Sequence, residues 1–143
     1  MSFCRCAPKK DELIRLIGII GWQGFWQMRV NDLVEKFDLS IAAGEKGLDR
    51  KVVDGYCGDL LSEVMGNAPA GCAWLTVQGH QAIVAVAVLR EMAAIIITGG
   101  QKPDEETIQK AEQESIPILL WPKSSFSLAG LIFSAGIGNL ATE

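Results

Sequence analysis

Short apolar segments alternate with longer segments of helical character from residue 73 to residue 134, and this alternation constrains the fold more than any other feature of the sequence. The apolar segments 73–77, 94–98 and 116–121 have the length and composition of buried strands. Helices are predicted over residues 81–92, 104–114 and 125–134. The first of these is rich in valine and isoleucine, but two neighbouring parallel strands need a crossover between them, so we predict a helix there. The pattern predicts an α/β fold, a small and mostly parallel sheet with helices on both faces.

Residues 30–65 carry weaker signals of the same kind. Apolar residues recur at helical spacing over residues 30–37, and Asn31 or Asp32 is suited to cap the start of that helix. Strands are predicted over residues 39–43 and 52–57, with a polar loop over residues 44–51 between them. A short helix is predicted over residues 59–65, with Leu60, Leu61 and Val64 facing inward. No repeat, linker or low-complexity stretch follows residue 28, so we expect these elements to belong to one domain.

The first 27 residues differ from the rest of the chain. Their apolar stretch, residues 13–26, contains an arginine and three glycines and is shorter than the roughly 20 residues that span a bilayer. Acidic residues precede it and no small-x-small cleavage site follows it, so it is a poor signal peptide. We expect an atypical N-terminal extension over residues 1–27 and the domain over residues 28–143. The extension is either an amphipathic anchor, with two tryptophans at helical spacing, or a leader that is not native or not well ordered, with Met28 as the true start.

The charge balance limits the partners of the chain. Lys plus Arg total 13 and Asp plus Glu total 17, which gives a formal net charge of −4. Neutralisation of phosphates supplies most of the affinity for nucleic acids, so an acidic chain without a basic cluster is a poor nucleic-acid binder. It is an equally poor candidate for an anionic membrane surface. We therefore predict neither a nucleic acid nor a membrane as a partner.

The four cysteines are too few for a disulfide scaffold and indicate reduced thiols in a cytoplasmic protein. Cys4 and Cys6 could form half of a metal site. The other half is missing, because the single histidine is His80 and no second close pair of cysteines exists. We expect no metal and no cofactor.

Three loops that follow predicted strands are candidates for a ligand site, because open parallel sheets bind ligands at the carboxyl ends of their strands. Their candidate ligand-binding residues are Gln78, Gly79, His80, Thr98, Gly99, Gly100, Lys123 and Ser124. Each loop is small and polar enough to expose backbone N–H groups, and each could equally be an ordinary connection. The helix after Gly100 begins with three acidic residues that would repel a phosphate. The helix after His80 has no acid in its first turn and could hold an anion, and Lys123 makes a second candidate anion site.

His80 is the candidate for proton transfer, because histidine changes charge near neutral pH. The alternative is that it caps its own helix or binds a neighbouring strand. No orienting partner for a catalytic triad is evident. The sequence also lacks the motifs of serine hydrolases, P-loop proteins and dinucleotide-binding domains. No catalytic residue is therefore assigned.

Two dipeptides are candidates for structural or interface roles. Asp49 and Arg50 lie in the loop before the second strand and either brace that loop, through an ion pair or otherwise, or present the arginine to an acidic ligand or a second subunit. Asp54 and Gly55 lie inside the second predicted strand, where they indicate a bulge or a close backbone approach.

Four segments of the sequence resemble the DRTGG domain family. They read GLDRKVVDGY over residues 47–56, DLLS over residues 59–62, WLTVQGH over residues 74–80 and AIIITGG over residues 94–100. The five letters of the family name are not contiguous here, because Asp49-Arg50 and Thr98-Gly99-Gly100 are far apart. The resemblance covers about residues 28–131 and implies a small α/β domain similar to the N-terminal domain of HPr kinase/phosphorylase.

The resemblance implies a regulatory or dimer-forming unit without catalysis of its own, and it does not carry over the kinase activity of that enzyme. We therefore consider two classes of function. The first is a non-catalytic module, a homodimer, that senses a small anionic metabolite or nucleotide, binds a separate partner enzyme, or does both. The small apolar residues of 81–89 would allow close helix packing, within the domain or across such a dimer. The alternative is a small enzyme that uses His80 as a general acid or base at the strand ends.

Overall fold

The computed structural model of the protein describes residues 28–138, and their secondary structure follows the alternation that the sequence predicts. The strands are β1 (Ser40–Ala43), β2 (Asp54–Cys57), β3 (Cys72–Thr76), β4 (Ala94–Ile97) and β5 (Ile118–Leu120). The helices are α1 (Val30–Phe37), α2 (Leu61–Asn67), α3 (Ala82–Leu89), α4 (Glu105–Glu114) and α5 (Ser125–Ser134), with a short 3-10 helix at Glu45–Gly47. The predicted extension over residues 1–27, with Cys4 and Cys6, lies outside the described residues.

The strands form one sheet in the order β1-β5-β4-β3-β2. Strands β2 to β5 run parallel to one another, and β1 pairs antiparallel with β5 at one edge. The prediction of a small, mostly parallel sheet is confirmed. Each parallel neighbour follows a crossover helix, so α3 is a helix in spite of its valines and isoleucine.

Two apolar clusters bury the two faces of the sheet. Helices α2, α3 and α4 cover one face, which contains Trp74, Ile95 and Ile97. Helices α1 and α5 cover the other, which contains Leu75 and Ile96. Because β3 and β4 are covered on both sides, every one of their residues is buried. Their sequences are accordingly continuous apolar runs, and only the last residue of β3, a threonine, is polar.

Several element boundaries differ from the predictions. Helix α2 begins two residues later than predicted, so Leu60 precedes it and is 68% exposed, whereas Val64 is buried. The N-cap of α1 is Arg29, and the carboxylate of Asp32 accepts a hydrogen bond from its N–H at 2.8 Å. Strand β5 begins after Pro117, because proline has no N–H to give to the sheet.

The predicted bulge at Asp54 and Gly55 is absent from β2. The strand keeps an unbroken register with β3, in which Asp54 pairs with Cys72 and Gly55 with Ala73. Beyond Gly55 and its two chain neighbours, a Cβ at this position would have no heavy atom within 4 Å, so the close backbone approach is absent as well. Among residues 28–138, no helix has the length and apolar character needed to cross a membrane.

Candidate functional site

The carboxyl ends of β2, β3, β4 and β5 meet at one edge of the sheet, because these strands are parallel. We call the residues that follow them, 58–60, 77–81, 98–101 and 121–126, the strand-end edge. All eight predicted ligand-binding residues lie there. The parallel topology therefore brings the three predicted loops to one side of the molecule.

Asp59 joins the end of β2 to the end of β3. Its Oδ1 accepts hydrogen bonds from the Thr76 hydroxyl and the Val77 N–H, both at 2.9 Å. The side-chain amide of Gln78 donates to the Asp59 carbonyl oxygen at 3.3 Å. Asp59 was not predicted as a site residue, although an acidic residue two positions after a predicted strand is a signal that could have found it.

Gly79 fixes the loop after β3 against the start of α4. Its carbonyl oxygen accepts from the Asp104 N–H at 3.0 Å and from the Thr107 hydroxyl at 2.7 Å. A Cβ at this position would lie 2.5 Å from the Lys102 carbonyl oxygen, so only glycine fits without moving the backbone.

His80 lies directly before Gln81, the N-cap of α3, and its side chain binds the first residue of that helix, which favours the helix-capping interpretation of this residue. Its Nδ1 accepts a hydrogen bond from the Ala82 N–H at 3.2 Å. An Nδ1 that accepts carries no proton, so the neutral imidazole has its proton on Nε2. The exposed ring can therefore donate one hydrogen bond to a ligand from Nε2 while it holds the start of α3.

The loops after β4 and β5 bind each other. The buried Thr98 hydroxyl lies 2.5 Å from the Ser125 hydroxyl. The Gly99 N–H donates to the Lys123 carbonyl oxygen at 2.7 Å, and the Gly100 N–H donates to the Trp121 carbonyl oxygen at 3.4 Å. The expectation that these glycines expose free N–H groups is wrong, because both groups already have partners within the protein.

Lys123 and Ser124 follow β5 and have different roles. The Lys123 ammonium lies 5.8 Å from the centroid of the Trp121 ring and is exposed to solvent. The Ser124 hydroxyl accepts from the Ser127 N–H at 3.3 Å and so caps α5. Lys123 is the cation of this loop that is available to a ligand, and Ser124 holds the helix in place.

Phe126 is a further surface group that the sequence analysis missed. It is 90% exposed in the first turn of α5, directly after the serine that contacts Thr98. Leu60 and Val77, which follow β2 and β3, also expose apolar side chains. The strand-end edge therefore combines polar groups with an exposed aromatic ring.

Asp49 and Arg50 lie at the opposite edge of the sheet, where the parallel strands begin. The Arg50 guanidinium donates to the Met92 carbonyl oxygen at 3.4 Å, just before β4. The Asp49 carbonyl oxygen accepts from the Arg29 guanidinium at 2.6 Å. These contacts favour the interpretation that the two residues brace their loop. The length of the strands lies between them and Thr98, Gly99 and Gly100.

The groups with displaced pKa values lie on β2 and β3, away from the predicted ligand residues. A hydrogen bond to the Glu63 carboxylate raises the pKa of Tyr56 to about 12. Burial raises the pKa of the Cys72 thiol to about 11, and burial together with Asp59 raises the pKa of the Cys57 thiol. Both thiols are free. Within residues 28–138 no group of three His, Cys, Asp or Glu side chains is arranged to hold a metal ion.

Comparisons with known proteins agree with this architecture. Residues 32–135 match the model of the DRTGG domain. The chain belongs to the DRTGG domain family. The sequence-based resemblance is thereby confirmed, over most of the chain beyond residue 28.

A solved structure has the same fold. It is the crystal structure of the CBS and DRTGG domains of the regulatory region of Clostridium perfringens pyrophosphatase complexed with the activator diadenosine tetraphosphate. The TM-score is 0.58 at 16% sequence identity, and the match covers 85% of this chain and 56% of that chain. This DRTGG-family chain thus corresponds to just over half of that structure. A search of curated proteins found no match.

Proposed function

We propose that this DRTGG-family chain is a non-catalytic regulatory module that senses a nucleotide or another phosphorylated metabolite at the strand-end edge. The observation that carries the proposal is that Lys123, His80 and Phe126 all lie at the strand-end edge, in or directly after loops that bind one another. Lys123 offers a positive charge, His80 offers an N–H from Nε2, and Phe126 offers an exposed ring.

The spacing of these groups favours a ligand larger than inorganic phosphate. His80 follows β3 and Lys123 follows β5, and β4 lies between them. Neighbouring strands are about 4.8 Å apart, so β3 and β5 are separated by roughly 10 Å, and the loops that follow them lead to helices on opposite faces of the sheet. A ligand that touches both therefore needs roughly the length of a nucleotide. Stacking of its base on Phe126 is chemically reasonable, since aromatic side chains stack on bases of any sequence.

The charge distribution supports a position for the anionic part of the ligand near Lys123 and the start of α3. Helix α4 begins with acidic residues at 105 and 106, which already complement its positive end. Helix α3 has no acidic residue in its first turn. A phosphate is therefore repelled less beside His80 than beside Gly100. Its donor there is the N–H of His80 Nε2, because the N–H groups of residues 82–84 already bond to His80 and Gln81.

The geometry of His80 also favours sensing over catalysis. General acid–base catalysis needs an imidazole that is free to exchange a proton and held by an orienting partner. Here Nδ1 holds the first turn of α3, and no side chain in the described part of the protein hydrogen-bonds to Nε2. If a reaction of this chain is identified, His80→Ala should leave its turnover intact. Loss of turnover in that variant would support the enzyme alternative.

Residues 28–143 form the functional unit in this proposal, and they act on a separate partner enzyme in the cytoplasm as a homodimer. The solved relative gives a precedent, since its DRTGG domain is part of the regulatory region of a pyrophosphatase. Free thiols at Cys57 and Cys72 fit a reducing compartment.

A thermal-melting screen tests ligand binding. The full chain is melted with a panel that includes ATP, AMP, diadenosine tetraphosphate, sugar phosphates and inorganic phosphate. A ligand at 100 times its Kd adds about 2.7 kcal/mol to the free energy of unfolding, which raises the melting temperature by roughly 5–10 °C. We expect a nucleotide to produce such a shift and inorganic phosphate to produce little.

Lys123→Ala should then raise the Kd of that nucleotide about tenfold or more, because a hydrogen bond to a charged group contributes about 1.5–3 kcal/mol. Lys46→Ala is the matched control, since Lys46 is an exposed lysine in the 3-10 helix at the opposite edge. Equal losses in the two variants, or no shift with any compound of the panel, would contradict a site at the strand-end edge.

A further inference from the structure

Helix α3 has no polar residue on any face. Its sequence is AIVAVAVL, and Ile83, Val84, Val86 and Ala87 are buried against the sheet and the neighbouring helices. Its outward positions are also apolar. Ala85 is exposed, Val88 is 41% exposed and Leu89 is 65% exposed.

The neighbouring helix α4 covers the same face of the sheet and has the usual composition of a surface helix. Its outward positions are occupied by Glu, Gln and Lys, and its buried positions by Thr107 and Ala111. A helix that is apolar all round is normally buried on all sides. The composition of α3 therefore indicates that its outer face is covered when the protein functions.

A groove separates the outer faces of α3 and α4. It encloses about 280 Å³, and its apolar wall is formed by Val84, Ala85, Val88 and Leu89. Lys110 and Glu114 line it from α4. These two residues are one helical turn apart and have opposite charges. The groove therefore has one apolar wall, from α3, and a charged rim, formed by Lys110 and Glu114.

We infer that this groove is the contact surface between two copies of the chain, related by a two-fold axis. A two-fold interface places the same surface on both partners, so each residue type must find its complement within one patch. The rim satisfies this requirement, because Lys110 of one copy can meet Glu114 of the other while the two α3 helices pack through Val88 and Leu89. The small side chain of Ala85 permits the close approach of two helices.

This inference rests on the homodimer of the proposed function and names its surface. It also connects that surface to the strand-end edge, because His80 holds the first turn of α3. Ligand contact at His80 and dimer contact at Leu89 thus act on the two ends of one helix.

The oligomeric state of the full chain, measured by sedimentation velocity over a range of concentrations, tests the inference. We expect the wild type to dimerise and Leu89→Glu to raise the dimer Kd at least about tenfold. Leu60→Glu is the matched control, since Leu60 is exposed to a similar extent, 68%, but follows β2 at the strand-end edge. Circular dichroism establishes that each variant is folded.

Charge reversal on the rim supplies a second readout. Lys110→Glu and Glu114→Lys should each weaken the homodimer, because each variant has like charges at positions 110 and 114. An equimolar mixture of the two variants should form a heterodimer, because opposite charges then meet across the axis although neither α4 helix contains such a pair. A wild type that stays monomeric, an unchanged dimer in Leu89→Glu, or a mixture that associates no better than the single variants would overturn the inference.

The ligand screen distinguishes this failure from failure of the proposed function. Leu89→Glu leaves Lys123 and His80 in place, so its melting temperature should still rise with the nucleotide that stabilises the wild type. A monomeric protein that responds to ligand would overturn the homodimer and the surface assigned to α3, but not the sensing function. A dimer without any ligand response would overturn only the sensing function.

Discussion

Gly44→Ala is expected to lower the free energy of unfolding by about 4 kcal/mol or more, at the upper end of the range for single substitutions. Gly44 has a φ of +75°, in the left-handed region that costs a residue with a Cβ about 1–2 kcal/mol. A Cβ there would also lie 2.7 Å from the Pro117 nitrogen and closer still to the Ile116 carbonyl oxygen. These are backbone atoms at the start of β5, so the sheet itself would have to move. Urea unfolding followed by circular dichroism measures the change.

Gly55→Ala is the matched control for this prediction, because it adds the same methyl group to another glycine of the chain. Gly55 lies in β2, has no positive φ and would place its Cβ in open space. We expect a change within about 0.5 kcal/mol, or a slight gain, since glycine weakens a strand. If both variants lose the same stability, the close packing of Gly44 against the 116–117 backbone does not explain the effect.

Trp74→Ala should cost about 3–5 kcal/mol, the usual range for removal of a buried tryptophan. Trp74 is fully buried in the middle of β3, under α2 and α3. Its indole N–H donates to the Gly58 carbonyl oxygen at 2.8 Å, which ties the end of β2 to the centre of the sheet. Chemical denaturation of the variant gives the loss directly.

Trp74→Phe separates packing from hydrogen bonding at the same position. It retains much of the apolar volume but leaves the Gly58 carbonyl oxygen without its partner, a loss of about 1–3 kcal/mol. We therefore expect an intermediate stability for this variant. A phenylalanine variant as unstable as the alanine variant would show that the hydrogen bond, and not the volume, dominates.

The fold could be predicted from the sequence because its elements carry strong local signals. Helix α1 has the limits that the helical spacing of its apolar residues predicts, and α5 begins directly after the serine that caps it. The buried strands β3 and β4 are visible in the sequence as continuous apolar segments. The identification of α3 as a helix needed topology as well, because its valines and isoleucine favour a strand. The prediction that Leu60 faces inward is wrong, because the sequence does not show whether an apolar side chain next to the start of a helix is buried or exposed.

The candidate site was predicted in its location but not in its contacts. Parallel strands bring Gln78, Thr98 and Lys123 to one edge by topology alone, so their shared location follows from the sequence. The sequence does not show which backbone N–H groups are free, because the N–H groups of Gly99 and Gly100 bond to carbonyl groups more than twenty residues away. The loop brace at Arg50 was one of the two predicted alternatives, but nothing in the sequence indicates that its partner is the Met92 carbonyl oxygen.

Chemical-shift mapping locates the sensing site residue by residue. The full chain, labelled with nitrogen-15, is titrated with the nucleotide of the screening panel that raises its melting temperature most. We expect the amide shifts to concentrate in residues 77–82, 98–101 and 121–126, at the strand-end edge, and residues 44–51 to change little. Shifts concentrated at residues 44–51, or none with any compound of the panel at millimolar concentration, would contradict this expectation.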